Sequence, residues 1–189
     1  MKSDKRQHWI DEGYTLFALE GPHGVKVEVL ARRFGRSKSG FYHHFADLDV
    51  FTEVLLSTHL VRAKAIAKRE QQCSRLVPDL LELLVEVKED LLFQRQLRVH
   101  REVPAFRACF ERSSLETGQA MGAIWAEGLG LADNTALAGT LLNLALENFY
   151  LRITAETLTY GWLLEYVQEL RSMVKGFEHR AQSGVPTVR

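Results

Sequence analysis

Residues 35–45 read GRSKSGFYHHF, and this run decides the fold. A chain otherwise suited to helix places Gly35, Arg36 and Ser37 together, then Gly40, then five ring side chains in succession at 41–45. A helix built only for stability would not do this. Gly40 costs about 0.8–1 kcal/mol relative to alanine in a helix interior, and five consecutive rings cannot share one core-facing stripe. The segment must therefore meet something outside the core.

The residues before it supply the context. Residues 27–34 carry Leu30 and Phe34 at i, i+4 with the small Ala31 beside them, which predicts a short helix that another helix can cross closely. Gly35 suits the left-handed position that ends such a helix. Ser37 is a good N-cap for the next one, expected over 37–45, although Gly40 at the third helical position leaves the reciprocal capping box incomplete. Further upstream, residues 5–19 present Trp9, Ile10, Leu16, Phe17 and Leu19 as a broad apolar face, and Gly21, Pro22 and Gly24 stop that helix.

Helix, tight glycine turn, helix is the helix-turn-helix arrangement, whose second helix enters the major groove of DNA. Phe41 and Phe45 then pack inward on Leu16, Leu30 and Phe34, while Lys38, Ser39, Tyr42, His43 and His44 stay outside. The window 31–45 holds Arg32, Arg33, Arg36 and Lys38 and no acid, a phosphate-facing patch in an otherwise neutral chain. Gly40 removes a side chain where backbone N–H groups could approach a phosphate. A solvated basic helix end with core aromatics accounts for the charge or the rings taken alone. Turn, cap, patch and small residue together favour DNA.

The run VEVLARRFGRSKSGFYHHFADLDVF, residues 27–51, resembles the DNA-binding segment of the TetR/AcrR transcriptional regulators. The resemblance extends over roughly residues 5–60 and rests on a hydrophobic-Ala pair, a glycine turn, a serine and a Tyr-x-His-Phe run. It implies that Tyr42 and His44 touch phosphates, and that His43, Lys38, Ser39 and Gly40 face bases, with Arg36 and Ser37 beside them. Two positions depart from the pattern. Lys26 stands where the family commonly has Ser or Thr at the start of the second helix, which removes a cap and offers a different phosphate contact. Leu48 stands where the family commonly has a lysine.

Composition bounds the rest. Among 189 residues, Lys+Arg and Asp+Glu are 24 each, so total charge argues for neither nucleic acid, membrane nor acidic substrate, and electrostatic arguments must be local. Cys73 and Cys109 lack metal spacing, and no leader or long apolar run appears; the expectation is a reduced, cytoplasmic protein with no membrane contact. The fold expected is all-α with about nine helices: a helix-turn-helix domain over 1–47, a ligand-binding and dimerising domain over 48–181, and a disordered tail over 182–189.

Residues 48–68 should form a long connector with Phe51, Leu55, Leu56, Val61 and Ala65 along its apolar side. Leucines repeat densely over 77–92, a helix should start over 104–110 after a break, and another should follow over 115–127. The helix from residue 134, N-capped by Asp133, is apolar nearly all round and must be covered on two sides. The last helix, about 159–177, carries Leu163, Val167, Leu170, Val174 and Phe177 on one stripe, with Gly139 and Ala145 allowing close approach by its neighbour. A two-fold homodimer through a four-helix bundle of segments 134–154 and 159–177 satisfies this; a buried hairpin within one chain is the other solution.

Enzymatic patterns fail. Glu20 and His23 have di-iron helix spacing, but Pro22 and the flanking glycines forbid a helix there. The glycine-rich 128–133 follows no strand, and adjacent His43 and His44 point about 100° apart, making poor joint metal ligands. No catalytic residue, metal or cofactor is expected. The function expected is an effector-responsive regulator, a repressor released from a pseudo-palindromic operator on double-stranded DNA by a small molecule. A helical small-molecule-binding or interaction module that does not read DNA is the alternative. The resemblance implies a pocket between the middle helices, with Phe93, Arg98, His100, Phe106, Phe110, Trp125, Asn148 and Tyr150 as candidates to line it.

Overall fold

The computed structural model describes residues 2–182. Nine α-helices and one π-helical turn form its regular structure, with no strand among the described residues, as the all-α expectation requires. The chain divides into two compact units: one comprises the residues up to Arg69 together with Val87–Gln119, the other Glu70–Glu86 together with the chain from Ala120 on. The disordered tail expected over 182–189 falls, apart from Gln182, outside the described residues.

In the first unit α1 (Lys2–Glu20), α2 (Val27–Arg33) and α3 (Lys38–Tyr42) close around rings. Trp9, Leu30, Phe41 and Phe51 are at most 1% exposed. Phe41 meets Trp9 edge-on at 5.7 Å and Phe51 at 5.2 Å, and Trp9 meets Phe34 at 4.8 Å, so aromatic pairs rather than aliphatic bulk fix the small helices. Leu19, expected on the α1 apolar face, is exposed.

The long helix α4 (Leu48–Glu70) begins under an Asp47 cap, whose Oδ1 accepts from Val50 N at 2.8 Å. Here the sequence reading needs correction: Val61 and Ala65 are exposed, and His59, Ala63, Ile66 and Ala67 take the buried positions. Continuing the stripe from Phe51 and Leu55 by 3.6 residues per turn leads to His59, a position that a search for apolar residues passes over.

The leucine-rich run is not one helix. Pro78 holds the preceding Val77 extended at φ −124, ψ 125. A π-helical turn (Leu76–Leu80) and α5 (Leu81–Glu86) follow, then a break at Val87 before α6 (Lys88–Val99). Conversely, α7 (Pro104–Gly128) is continuous where two helices were expected. Ser113 does not break it, because its hydroxyl lies 2.8 Å from the Cys109 carbonyl one turn back.

The second unit is built on α8 (Thr135–Arg152) and α9 (Tyr160–Gln182) with α5 against α9. The cap of α8 is Asn134 rather than Asp133, its Oδ1 accepting from Leu137 N at 3.1 Å, three residues on as a cap requires. Ala138, Leu142, Ala145 and Phe149 form the buried side of α8, and the Tyr166 hydroxyl donates to the Ala145 carbonyl at 2.6 Å. Leu163, Val167, Leu170 and Val174 are buried as expected, whereas the side chain of Phe177 lies outside the described residues.

Candidate nucleic-acid interface

The turn between α2 and α3 forms as its sequence dictates. Gly35 adopts φ +63, its N–H donates to the Arg32 carbonyl at 3.2 Å, and Arg36 N donates to the Ala31 carbonyl at 2.8 Å. These are the two bonds of a Schellman ending, and a β-carbon at residue 35 would be strained by the dihedral itself. Ser37 then caps α3, its Oγ accepting from Gly40 N at 3.3 Å. The helix is shorter than 37–45, ending on His43 as C-cap, with Phe45 N still bonded to the Phe41 carbonyl.

Phe41 and Phe45 point inward, and the outer side carries exposed Lys38, Ser39, Tyr42 and His43, with His44 half-buried. Tyr42 is 54% exposed, its ring edge-on to the neighbouring Phe41 at 5.4 Å. Gly40 has ordinary backbone angles, and a β-carbon built there would meet Ser37 Oγ and Trp9 at 3.8 Å, normal van der Waals contact. The fold thus tolerates alanine at residue 40. Lys26, exposed and extended at φ −127, starts α2 without any side-chain cap, consistent with the departure noted in sequence.

The basic patch is less bare than the window 31–45 suggests. Lys38 Nζ donates to Glu28 Oε1 at 2.5 Å and Arg33 to Glu20 Oε1 at 2.7 Å, so acids from α1 and α2 meet two of its four cations. The Lys38 hydrogen bond holds the Glu28 carboxyl below its usual range. Arg36 lies 5.4 Å from the Phe34 ring centroid. Glu28 belongs to the face as much as Lys38 does, and only the return of the chain after Gly35 reveals it.

The first unit also holds a polar chain that the sequence reading missed. The Tyr14 hydroxyl donates to Asp90 Oδ1 at 2.7 Å and lies 2.6 Å from His59 Nδ1. His59 Nε2 lies 2.7 Å from Gln94 Oε1, which also takes Ser113 Oγ at 2.8 Å. Arg62 closes it, 3.0 Å from Glu89 and 3.4 Å from Asp90. With Gln94 Oε1 accepting, Nε2 of His59 must carry hydrogen. Burial raises the Asp90 carboxyl against the opposing Tyr14 hydrogen bond and Arg62 charge, and lowers His59 to about 4.

Of the expected effector-lining residues, Phe93 is fully buried, stacked on Phe17 at 4.2 Å, Tyr14 at 4.3 Å and His59 at 4.6 Å. Phe106 meets Phe17 edge-on at 5.5 Å, and Arg98 lies 5.3 Å over Phe110. His100 is half-buried, edge-on to His23 at 5.5 Å. In the second unit Trp125 is buried, Tyr150 is half-buried beside Phe149, and Asn148 is exposed on α8. A groove of about 500 Å³ in the first unit is lined instead by Arg6, Ile10, Val50, Val54, Val61 and Arg62 among others. Cys109 is buried and Cys73 half-buried, and neither is in a disulfide. Among the described residues no three His, Cys, Asp or Glu side chains could hold a metal, and no helix is long and apolar enough to cross a membrane.

Residues 10–48 match the family model of bacterial regulatory proteins, tetR family. No curated protein matches the chain by sequence. A structure described as a TetR-family transcriptional regulator from Mesorhizobium loti MAFF303099 superposes with TM-score 0.54 at 15% identity, covering 93% of this chain and 96% of that one. Another so described, from Rhodococcus sp., gives 0.50 at 22% identity, covering 94% and 97%. At these identities the likeness speaks for the fold, which extends along nearly the whole chain.

Proposed function

We propose, from the premise that residues 10–48 are a TetR-family helix-turn-helix domain, that the chain is a dimeric DNA-binding transcriptional regulator. In this reading it is a repressor that a small-molecule effector releases from a pseudo-palindromic operator. The observation that carries DNA binding is Gly40: the fold neither needs glycine there nor fills the space, yet Lys38, Ser39, Tyr42 and His43 are exposed around it. A missing side chain without an internal cause fits backbone approach to an external phosphate. Tyr42 and His44 serve as phosphate contacts, Lys38, Ser39 and His43 face bases, and Lys26, Arg36 and Ser37 border them.

Dimerisation is supported by α8. Flanking its buried side, about 110° round the helix, Leu137, Leu144 and Leu151 are 42%, 62% and 73% exposed, and Leu141 and Asn148 complete the alternating four- and three-residue spacing of a helix-packing seam. A second copy through α8 and α9 covers this seam, and two recognition helices then meet half-sites about 34–36 Å apart or a multiple of it. Selection of bound duplexes from a random pool, followed by footprinting and sedimentation, tests the reading. The expected result is a symmetric site bound by a dimer; a monomer on one asymmetric site, or no competitor-resistant complex, rejects it.

A further inference from the structure

We propose that the second unit holds a binding site for an organic cation with an apolar body, in which the Glu70 carboxylate is the counter-ion. Glu70 is 2% exposed, and its Oε2 is buried without a hydrogen-bond partner. Among the described residues it is the only buried acidic or basic side chain of that unit. Burial alone raises its carboxyl, with no neighbouring cation acting on it. A carboxylate taken out of water is strongly disfavoured unless a cation or donors replace the water it lost.

A metal ion does not meet this need, since one carboxylate is too few ligands and no triad of metal-binding side chains stands among the described residues. An ammonium group does, as both charge partner and donor. Most of the remaining buried side chains of the unit, including Leu76, Leu80, Met121 and Leu142, are apolar, which suits an apolar ligand body. Trp125 of the same unit also has a buried Nε1 without a partner. The ligand class is therefore arylalkyl or alkyl amines.

This inference deepens the effector half of the proposed function, and its test uses no DNA, so failure of DNA reading and failure of the cation site are separable. The full chain is titrated at pH 8 with 1-naphthylmethylamine, 1-naphthylmethanol and 1-naphthoate, three molecules with one aromatic body and a cationic, neutral or anionic head. Equilibrium dialysis and thermal shift should rank the amine at least about tenfold ahead of the other two. Glu70→Gln should weaken the amine roughly 10- to 100-fold and leave the alcohol unchanged, the loss expected for one charge-assisted hydrogen bond. Equal binding of all three, binding of none, or amine binding unaltered in Glu70→Gln overturns the site. Should Glu70→Gln fold poorly, the ranking of the three probes on the native chain still decides.

Discussion

Asp90 and Glu70 are both carboxylates removed from most contact with water, and the protein treats them in opposite ways. Asp90 takes a hydrogen bond from Tyr14 and an ion pair from Arg62, and stands in line with His59. Glu70 Oε2 takes none. Both carboxyls are raised by burial, but around Asp90 the raising is opposed by Tyr14 and Arg62, while at Glu70 nothing opposes it. A buried polar group that the fold answers fixes geometry. One that the fold leaves unanswered points outward, to a proton, a water or a ligand.

The largest effect that can break this comparison is Asp90→Ala. It strips Tyr14 and Arg62 of a shared acceptor and should cost about 3 kcal/mol. For a chain of this size that lowers the melting temperature by roughly 6–12 °C, read by calorimetry. A change below about 1 kcal/mol would mean the polar chain is dispensable.

Acidification sharpens it. His59 is lowered from 6.5 to about 4, so its stabilising contribution is intact above pH 6.5 and is lost as pH falls toward 4. The loss approaches about 3 kcal/mol. Glu70, raised from 4.5 to about 7, behaves with the opposite sign: its penalty is absent below pH 4.5 and grows as pH rises through 7. Glu70→Gln should therefore stabilise the chain at pH 8, by about 1–2 kcal/mol once burial of the amide is set against the removed charge. Destabilisation at pH 8 would show that Glu70 makes a bond the fold depends on.

What could be read from sequence followed the range of the interactions. The turn, the Ser37 cap and the inward Phe41 and Phe45 were legible because each is set within a few residues, by a dihedral only glycine takes easily or a spacing of one helical turn. The Glu28 partner of Lys38 lies ten residues away across that turn, and Tyr14, His59 and Asp90 come from three separate helices, so no local pattern joins them. Val61 lies outside the core for the complementary reason: apolar character alone does not bury a residue, and the buried stripe passes through a histidine. Pro78 explains the broken leucine run, yet the continuity of α7 through Ser113 depends on hydroxyl bonds that composition does not advertise.

On the face proposed to meet DNA the effects are smaller. Tyr42→Phe removes a neutral hydroxyl and should weaken all duplexes by a similar factor, about 1 kcal/mol, without changing the slope of log affinity against log salt. Lys38→Ala should cost about 1–3 kcal/mol, chiefly on the selected site, if Lys38 reads a guanine edge. An equal loss on scrambled duplexes, with the salt slope lowered by about 0.9 per contact, assigns it to phosphate instead. Glu28→Gln releases Lys38 and deletes an acid from the face. It should strengthen binding to every duplex slightly, because the pair it breaks is exposed and screened.

Gly40→Ala tests the account most directly, because the two readings of that glycine give opposite signs. Nothing in the fold opposes a β-carbon there, so the variant should be as stable as the native chain or more so, by about 0.5 kcal/mol in chemical denaturation. Its affinity for the selected operator, measured by fluorescence anisotropy at fixed salt, should fall by about tenfold or more as the added methyl meets the DNA backbone. A stable Gly40→Ala chain that binds the operator as tightly as the native protein would contradict the assignment of this face to DNA.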